Sequence, residues 1–256
     1  MFPFYLFSSK TKWYYCFFYM GNISLQPKFI LRWCNILVQK NSIKVVKKLI
    51  LVGGGGHCKS VLEAAESAGY SILGVLDMPE EVGKEILSTK VIGTDDDIPA
   101  YVDKAEFVIT VGFIKNPAIR IKLYNKIKEA GGKLATIVAS TAYVSKYAEI
   151  AEGTVVLHQA FVNAGAKVGK NVILNTATNI EHDAVIGDHC HISTGTMVNG
   201  ECKVGERCFI GSQSVLANCI SVGDDIIVGA GSFVRKNITE KGIYSGNPAI
   251  LKIKAK

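Results

Sequence analysis

The sequence lacks the features that mark secreted, membrane-spanning and nucleic-acid-binding proteins. Its seven cysteines form no CxxC pair and no stretch has the pattern of a secretory signal, so we expect reduced thiols in a cytoplasmic protein. No run of about 20 apolar residues is free of interruption, as a spanning helix requires. No basic block with interleaved aromatics occurs either, so the net charge of +7 favours phosphates and other small anions over nucleic acid.

The chain has enough apolar material for one or two packed domains, because 48% of its 256 residues are hydrophobic. Residues 1–45 differ from the rest: aromatic side chains crowd this stretch, but Lys10 and Lys12 interrupt it. We expect an extension that is poorly ordered or not native, translated from a start site upstream of the natural one. Membrane contact through its aromatics is the less favoured alternative. Mass spectrometry of the native N-terminus tests whether the stretch belongs to the protein.

Residues 46–140 alternate predicted strands with predicted helices. An aliphatic run, Lys48–Val52, is followed by four glycines, Gly53–Gly56, that predict a tight turn. Helices are predicted over residues 60–68 and 117–130, and further strands over residues 71–76, 107–111 and 134–138. Alternation of this kind indicates a parallel sheet with helices on its faces, so we predict an N-terminal Rossmann-like α/β domain.

From residue 141 to residue 238 the sequence has a period of six. Sixteen positions, each six residues after the last, carry aliphatic side chains: Val144, Ile150, Val156, Val162, Val168, Leu174, Ile180, Ile186, Ile192, Val198, Val204, Ile210, Leu216, Val222, Val228 and Val234. An α-helix cannot use this period, whereas short strands separated by corners can. Small residues recur four positions later and place Cys190, Cys202 and Cys208 in the core. The pattern predicts a triangular parallel β-helix of about five coils.

Three segments together resemble one group of bacterial enzymes. They are LILVGGGGHCKSV from Leu49 to Val61, the strand that ends at Asp77, and NTATNIEHD from Asn175 to Asp183 within the repeats. The combination resembles the sugar acetyltransferases: nucleotide-amino-sugar N-acetyltransferases of the bacillosamine and perosamine type, and sialic acid O-acetyltransferases. Periodicity alone leaves the hand of the coil open. The resemblance implies a left-handed β-helix, acetyl-CoA as the donor and a homotrimer.

The resemblance assigns a nucleotide-activated sugar to the glycine turn. Gly55, Gly56 and His57 would contact this substrate, Asp77 would meet its base or ribose, and Gly112 would line the same crevice. The assignment has a physical basis, since glycines between a strand and a helix let backbone N–H groups approach a diphosphate at the positive helix end. The run is not GxGxxG, which disfavours a dinucleotide site, and a plain tight turn is the alternative interpretation.

Acetyl transfer to an amine needs a base, and the resemblance implies that His182 is that base. His182 falls outside the inward register, Asp183 would orient its imidazole, and Asn175 would hold the acceptor or His182. Acetyl-CoA would lie in a groove between neighbouring subunits, lined by His191, Gly200, Ser212 and Ala230. A backbone N–H near Gly200 would stabilise the oxyanion. Direct transfer is expected, because no motif places Cys58 or Cys219 beside a base.

Residues 239–256 form a C-terminal tail whose Tyr244–Ala249 segment is similar to the closing motif of the superfamily. Its Lys252, Lys254 and Lys256 are candidates for binding the CoA phosphates, or form a solvated basic tail. No metal is expected. Glycan biosynthesis in the cytoplasm is the setting that the resemblance implies.

Three alternatives stay open at this point. The first keeps the fold but transfers acetyl to a hydroxyl of sialic acid or another sugar. The second is a zinc enzyme of the γ-carbonic anhydrase kind, although the spacing of His158, His182, His189 and His191 suits three zinc ligands poorly. The third is a non-catalytic trimeric protein that binds a nucleotide sugar. Acetyl transfer assays, metal analysis and replacement of His182 separate them.

Overall fold

The structure, a computed structural model, describes residues 47–254. The predictions for residues 1–45 and for Lys256 lie outside these residues. The α/β domain contains strands β1 Lys48–Val52, β2 Ser71–Leu76, β3 Glu85–Ile86, β4 Thr89–Gly93 and β5 Glu106–Ile109, with helices α1 Gly56–Ser67 and α2 Ala118–Glu129. Its sheet has the order β3-β4-β2-β1-β5, parallel except for the β3–β4 pair. Two short 3-10 helices, Pro79–Glu81 and Asp95–Tyr101, complete it.

Helix α1 begins earlier than the sequence predicted. The prediction placed its start at Ser60, whereas the structure starts it at Gly56 and puts His57 in the first turn. The helix ends at Ser67, and Gly69 follows in the left-handed region with φ +86°, a conformation that glycine adopts without strain. The early start matters because it brings His57 to the positive end of the helix.

Two features of the α/β domain were not predicted. The hairpin β3–β4 was missed, and β4 extends the parallel sheet beyond β2. The strand predicted over residues 134–138 divides between two sheets. Leu134 forms a single bridge to Phe107, whereas Ile137–Val138 is β6 and pairs with Val155–Val156 of the β-helix. The reason is packing, since the α/β sheet already ends at β5 and the first coil needs a partner strand.

The C-terminal half is a left-handed parallel β-helix, as predicted. Its sixteen strands β7–β22 are each two residues long and each ends on one of the sixteen predicted aliphatic positions: Tyr143–Val144, Glu149–Ile150, Val155–Val156, Phe161–Val162, Lys167–Val168, Ile173–Leu174, Asn179–Ile180, Val185–Ile186, His191–Ile192, Met197–Val198, Lys203–Val204, Phe209–Ile210, Val215–Leu216, Ser221–Val222, Ile227–Val228 and Phe233–Val234. Neighbouring strands on one side are eighteen residues apart, as in the pairing of Phe161 with Asn179. The antiparallel pair β23 Gly242–Ser245 and β24 Ile250–Lys254 follows the last coil.

The prism has three faces. Face 1 contains β6, β9, β12, β15, β18, β21, β23 and β24; face 2 contains β7, β10, β13, β16, β19 and β22; face 3 contains β8, β11, β14, β17 and β20. The corner residues between the faces form three edges. In one coil, edge 1–2 comprises residues 175–178, edge 2–3 residues 181–184, and edge 3–1 residues 187–190, and each edge repeats eighteen residues later.

The small inward position does more than fill space. Its hydroxyls and thiols donate to the carbonyl oxygen fifteen residues further along the chain: Thr154 to Gly169, Thr178 to Ser193, Cys190 to Gly205, Thr196 to Gly211, Cys202 to Ala217, Cys208 to Gly223, and Ser214 to Gly229. The buried cysteines therefore pack in the core, as predicted, and also satisfy corner carbonyls that would otherwise lack a partner.

The α/β domain and the β-helix share one core. Cys58, Val61 and Leu62 of α1 lie in the same buried cluster as Val155 and Leu157 on face 1. Burial raises the pKa of the Cys58 thiol to about 11, so this cysteine is an inert packing group. The arrangement fixes the carboxyl ends of the α/β strands against the side of the prism. Across residues 47–254 we find no helix long and apolar enough to cross a membrane.

Candidate active site

The order in which the chain adds strands to the α/β sheet reverses beside β1, and a crevice is expected at this point. From β1 the chain runs through α1 to β2 on one side, and later returns to β5 on the other side of β1. Ligands of open α/β sheets bind at such a switch point, outside the carboxyl ends of the strands. Here those ends lead into the glycine turn Gly53–Gly56 and the segment Thr110–Phe113. The predicted substrate residues Gly55, Gly56 and Gly112 lie in these two segments, and His57 directly follows the first of them.

The four glycines of the turn divide into two kinds. Gly53 has φ +106°, and a Cβ there would collide with Val111, while a Cβ on Gly54 would collide with the Asp77 carboxylate. Packing therefore requires both. Gly55 has φ −68° and ψ −173°, which any residue adopts, and a Cβ on Gly55 or Gly56 would meet nothing within 4 Å. These two glycines leave open the space in front of the uncapped N-terminus of α1, as an approaching anion would require.

Asp77 and Gly112 border this space on opposite sides. Asp77 follows β2 directly, and its carboxylate lies against Gly54. Gly112 lies in the segment Thr110–Phe113 that follows β5, and a Cβ on it would lie 3.7 Å from the ring of His57. Gly112 therefore lies beside the imidazole of His57 with room for a small side chain between them. The structure thus brings together all five predicted substrate residues.

Two histidines, the buried His191 and the partly buried His57, lie where the crevice meets face 1. His57 and His191 have ring centroids 6.2 Å apart, and Phe113 packs edge-on against His191. Burial, and then the charge of Arg120, lowers the pKa of His57 to about 3. Burial likewise lowers the pKa of His191 to about 4, against a smaller opposing effect of its hydrogen bond to Phe113. Both imidazoles are therefore neutral near pH 7.

The hydrogen bonds of His191 fix its tautomer. Nδ1 donates to the carbonyl oxygen of Phe113 at 2.7 Å, because a carbonyl can only accept. Nε2 then accepts from Nδ2 of Asn175 at 3.2 Å, and Oδ1 of Asn175 accepts from the backbone of Thr176. Asn175 was predicted to hold the acceptor or His182. Within one chain, Asn175 lies on edge 1–2 and contacts His191 of face 1 instead. His191 was predicted to line the acetyl-CoA groove. In the structure its side chain is buried on face 1 and hydrogen-bonded to Asn175.

His182 occupies the opposite environment on edge 2–3. Its side chain is 53% exposed, and Nδ1 lies 3.0 Å from Oδ2 of Asp183. The ring lies over Gly200 one coil further on, where a Cβ would stand only 2.5 Å from Nε2. The shorter Asp183 therefore reaches the imidazole, and Gly200 is needed for space. With Nδ1 directed to the carboxylate, Nε2 is free to accept a proton.

Neighbouring polar residues hold this edge in place. Glu181 accepts from Asn163 at 2.7 Å and from Asn179 at 3.1 Å, and the first of these bonds dominates in holding its pKa below the usual range. Sequence reasoning missed Asn163 and Glu181 as supports for His182. The available signal is spacing, because Asn163 stands eighteen residues, or one coil, before Glu181.

The remaining predicted residues lie on two different edges. Ser212, whose hydroxyl is 2.8 Å from that of Ser193, and the exposed Ala230 lie on edge 1–2 with Asn175. Gly200 lies on edge 2–3 with His182 and Asp183. One chain therefore separates the predicted acetyl-CoA residues across face 2. In residues 47–254, no group of three or more His, Cys, Asp or Glu side chains is placed to hold a metal ion.

Comparisons with known proteins point to the same kind of site. Residues 48–127 match the family model of the PglD N-terminal domain, and residues 202–236 match that of the hexapeptide repeat of succinyl-transferase. A comparison with curated protein sequences finds no match.

Several solved structures share the fold. A mutant of perosamine N-acetyltransferase from Caulobacter crescentus, in complex with CoA and GDP-perosamine, is 27% identical, with a TM-score of 0.76 over 81% of this chain and 98% of that one. The acetyltransferase domain of PglB from Neisseria gonorrhoeae FA1090, in complex with acetyl coenzyme A, is 29% identical, with a TM-score of 0.75 over 81% of this chain and 100% of that one. WeeI from Acinetobacter baumannii AYE has the same fold at 21% identity, with a TM-score of 0.67 over 81% and 100%.

Proposed function

We propose that the chain is a sugar acetyltransferase of the hexapeptide-repeat superfamily, like the solved structures that it resembles. It transfers the acetyl group of acetyl-CoA to the amino group of a nucleotide-linked amino sugar, such as a UDP-4-amino-4,6-dideoxy sugar. The observation that carries the proposal is the His182–Asp183 pair, exposed on edge 2–3 with Nε2 free. Similar proteins that bind CoA and GDP-perosamine support this choice of substrates.

His182 acts as the general base. The amine nitrogen attacks the thioester carbonyl carbon, and His182 Nε2 takes the amine proton as the C–N bond forms. Asp183 accepts the Nδ1 hydrogen, so the imidazole keeps the tautomer that leaves Nε2 unprotonated before attack. The C–S bond then breaks, and the imidazolium returns the proton to the departing CoA sulfur. The products are the sugar acetamide and CoA with a free thiol.

Gly200 has two roles beside this base. Its missing side chain gives the imidazole room, and among the described residues its N–H makes no hydrogen bond. Equivalent corner N–H groups are often occupied, as that of Thr176 is by Asn175. A free backbone donor next to the base is suited to the oxyanion that forms on the thioester carbonyl.

The crevice holds the nucleotide sugar. The open space at Gly55 and Gly56 admits the diphosphate to the N-terminus of α1, and Asp77 accepts hydrogen bonds from base or ribose. The neutral imidazole of His57 forms the floor next to the sugar.

The five cysteines of the described residues are free thiols. Both substrates are cytoplasmic metabolites, so we place the reaction in the cytoplasm.

A homotrimer completes the site. In one chain the crevice lies against face 1, whereas His182 lies on edge 2–3. Face 2 stands between edges 1–2 and 2–3 and presents apolar side chains outward: Tyr143, Phe161, Met197, Val215 and Phe233. Three chains that pack face 2 around a three-fold axis bring edge 1–2 of each to edge 2–3 of the next. The groove between them then unites Asn175, Ser212 and Ala230 with His182 and Gly200.

A charge placed on face 2 tests the trimer. Met197 on face 2 and Val185 on face 3 are similarly exposed, at 38% and 36%. Met197→Glu buries carboxylates at the axis and is expected to give monomers without activity, measured by light scattering and turnover. Val185→Glu is the matched control and should stay trimeric and active. A trimeric, active Met197→Glu enzyme would contradict this packing.

Turnover against a panel of acceptors tests the reaction. Release of CoA is measured with UDP- and GDP-linked 4-amino sugars, with the same sugars lacking the amine, and with sialic acid. We expect turnover only with the amino sugars, and mass spectrometry of the product should find one acetyl group on nitrogen. Turnover with sialic acid alone would replace N-acetylation by O-acetylation, and nucleotide binding without any turnover would indicate a non-catalytic protein.

A further inference from the structure

Arg120 is a buried cation with no anionic partner. The side chain is fully buried, and no carboxylate in residues 47–254 forms an ion pair with it. It lies in the first turn of α2, Ala118–Glu129, where the helix dipole disfavours a positive charge. Burial lowers the pKa of the guanidinium to about 9, which still leaves it charged near pH 7. A neutral side chain of the same size would be less costly to bury there, so the charge calls for a reason other than filling space.

The guanidinium binds three backbone carbonyls from two parts of the fold. Nη1 donates to Ile109 at 2.7 Å and to Val111 at 3.1 Å, where β5 ends. Nε donates to the carbonyl of Asn171 at 3.1 Å, on edge 3–1 of the β-helix. The planar, multi-donor geometry of arginine suits this arrangement, and lysine cannot reproduce it. Arg120 therefore ties the carboxyl end of β5 to the side of the prism.

The tied segment leads directly into the crevice. Gly112 and Phe113 follow Val111, Gly112 packs on the ring of His57, and the Phe113 carbonyl accepts from His191. One side chain thus fixes a segment that lies beside His57 and accepts the hydrogen bond of His191. Nη2 of Arg120 and Nε2 of His57 are buried without a partner in the described residues. The charge of Arg120 acts on His57, which stands in the first turn of α1, since after burial it is the next cause that lowers the pKa of that imidazole.

We infer that Arg120 is a positioning residue of the nucleotide-sugar crevice, which clamps the Ile109–Phe113 segment to the β-helix and holds a fixed positive charge beside His57 that favours a diphosphate. This inference rests on the proposed function. It assigns Arg120 no contact with the reacting atoms, because the side chain is fully enclosed by protein. The charge acts through a low-dielectric interior, where screening by salt is weak.

The test compares affinities for nucleotides that differ by one phosphate. Calorimetry on the full chain measures UDP against UMP and GDP against GMP for wild type, Arg120→Met, Arg120→Lys and the control Lys122→Met. Arg120→Met removes the charge but keeps most of the volume, and we expect the preference for diphosphate over monophosphate to fall about tenfold. Lys122→Met removes an exposed charge from the same helix and should keep the wild-type preference.

Arg120→Lys separates the charge from the clamp. It should retain most of the diphosphate preference, yet lower kcat with the nucleotide amino sugar while the KM for acetyl-CoA stays unchanged, since lysine cannot hold three carbonyls. An unchanged preference in Arg120→Met, or an Arg120→Lys enzyme with the low preference of Arg120→Met, would overturn the charge role. If Arg120→Met does not fold, Arg120→Lys decides alone: wild-type kcat would overturn the positioning role.

Failure of this inference is distinguishable from failure of the proposed function. In the first case the wild type turns over amino sugars, and the variants keep its phosphate preference. In the second case the wild type binds nucleotides but transfers no acetyl group, and the affinity ratios still measure the role of Arg120.

Discussion

The crevice and edge 2–3 use the same side chain in opposite surroundings. In the crevice, His191 is buried and His57 is partly buried, both are uncharged, and hydrogen bonds to Phe113 and Asn175 fix His191. On edge 2–3, His182 is half exposed and held by one carboxylate and one glycine. The difference separates two requirements of acetyl transfer. Binding a nucleotide sugar needs rigid groups whose charge does not change, whereas a general base must exchange its proton with substrate and solvent.

Removing the exposed histidine should have the largest effect. His182→Ala deletes the general base, and we expect kcat to fall about 10²–10⁴-fold because the amine proton then has no acceptor. The KM for the nucleotide sugar should stay near the wild-type value, since the proposed binding groups for its diphosphate and its base or ribose, at the N-terminus of α1 and at Asp77, are unchanged in this variant. Steady-state kinetics measure both. Wild-type kcat in His182→Ala would remove the base assignment.

Moving the same histidine without deleting it should have the second largest effect. In Gly200→Ala the new Cβ would stand 2.5 Å from Nε2 of His182, so the ring must shift. A displacement of about 1 Å at the reacting centre costs about 10²-fold in rate, and we expect a loss of that size in kcat. Gly223→Ala, on edge 3–1, is the control, because the atom nearest to the new Cβ, the carbonyl oxygen of Ile238, would lie at 3.5 Å. Equal kcat values in the two variants would show that Gly200 does not position the base.

Filling the crevice should affect substrate binding alone. Gly55→Leu is compatible with the backbone, and its Cβ meets nothing within 4 Å, but its side chain occupies the space in front of α1. Loss of a single charge-assisted hydrogen bond, about 1.5–3 kcal/mol, raises the KM for the nucleotide sugar at least about tenfold. The melting temperature and the KM for acetyl-CoA should not change. Lys59→Leu, exposed on the same helix, is the control, and a wild-type KM in Gly55→Leu would place the substrate elsewhere.

Acid should destabilise the protein through the buried histidines. Burial holds the pKa of His57 at about 3 and that of His191 at about 4, below the usual 6.5. Between about pH 6.5 and pH 4 the unfolded chain binds protons that the folded chain does not, so stability falls as the pH is lowered. Each histidine contributes about 1.4 kcal/mol per pH unit in that window. Urea unfolding at pH 7, 5.5 and 4.5 measures the slope.

Variants at each site sharpen this comparison. His57→Asn and His191→Gln should each reduce the pH slope, because asparagine and glutamine do not titrate. A wild-type slope in both variants would show that these two histidines do not cause the loss of stability in acid.

The sequence was most informative where structure is local. Every sixth residue of the β-helix faces the core, so each of the sixteen strands could be read from its own segment, as Val144 and Val234 at the two ends illustrate. The strands β1 and β2 were predicted residue for residue for the same reason. His182 could be recognised because that register left it outside the core.

The sequence was least informative where distant segments meet. Arg120 contacts Asn171 across 51 residues and Phe113 contacts His191 across 78, and no spacing rule connects such pairs. A positive residue in the first turn of a helix was the available signal for Arg120. The same limit applies to the glycines, since only the folded backbone shows that Gly53 and Gly54 serve packing while Gly55 and Gly56 serve an open space.

The sequence by itself determined the two architectures, the buried cysteines and the identity of an exposed histidine beside an acid, because periodicity and short motifs act over a few residues. Tertiary structure alone decided which histidines are buried, which glycines face a ligand, and how the predicted residues are shared between two edges of the prism. The physical reason is that burial, charge and hydrogen-bond partners depend on segments brought together from far apart in the chain.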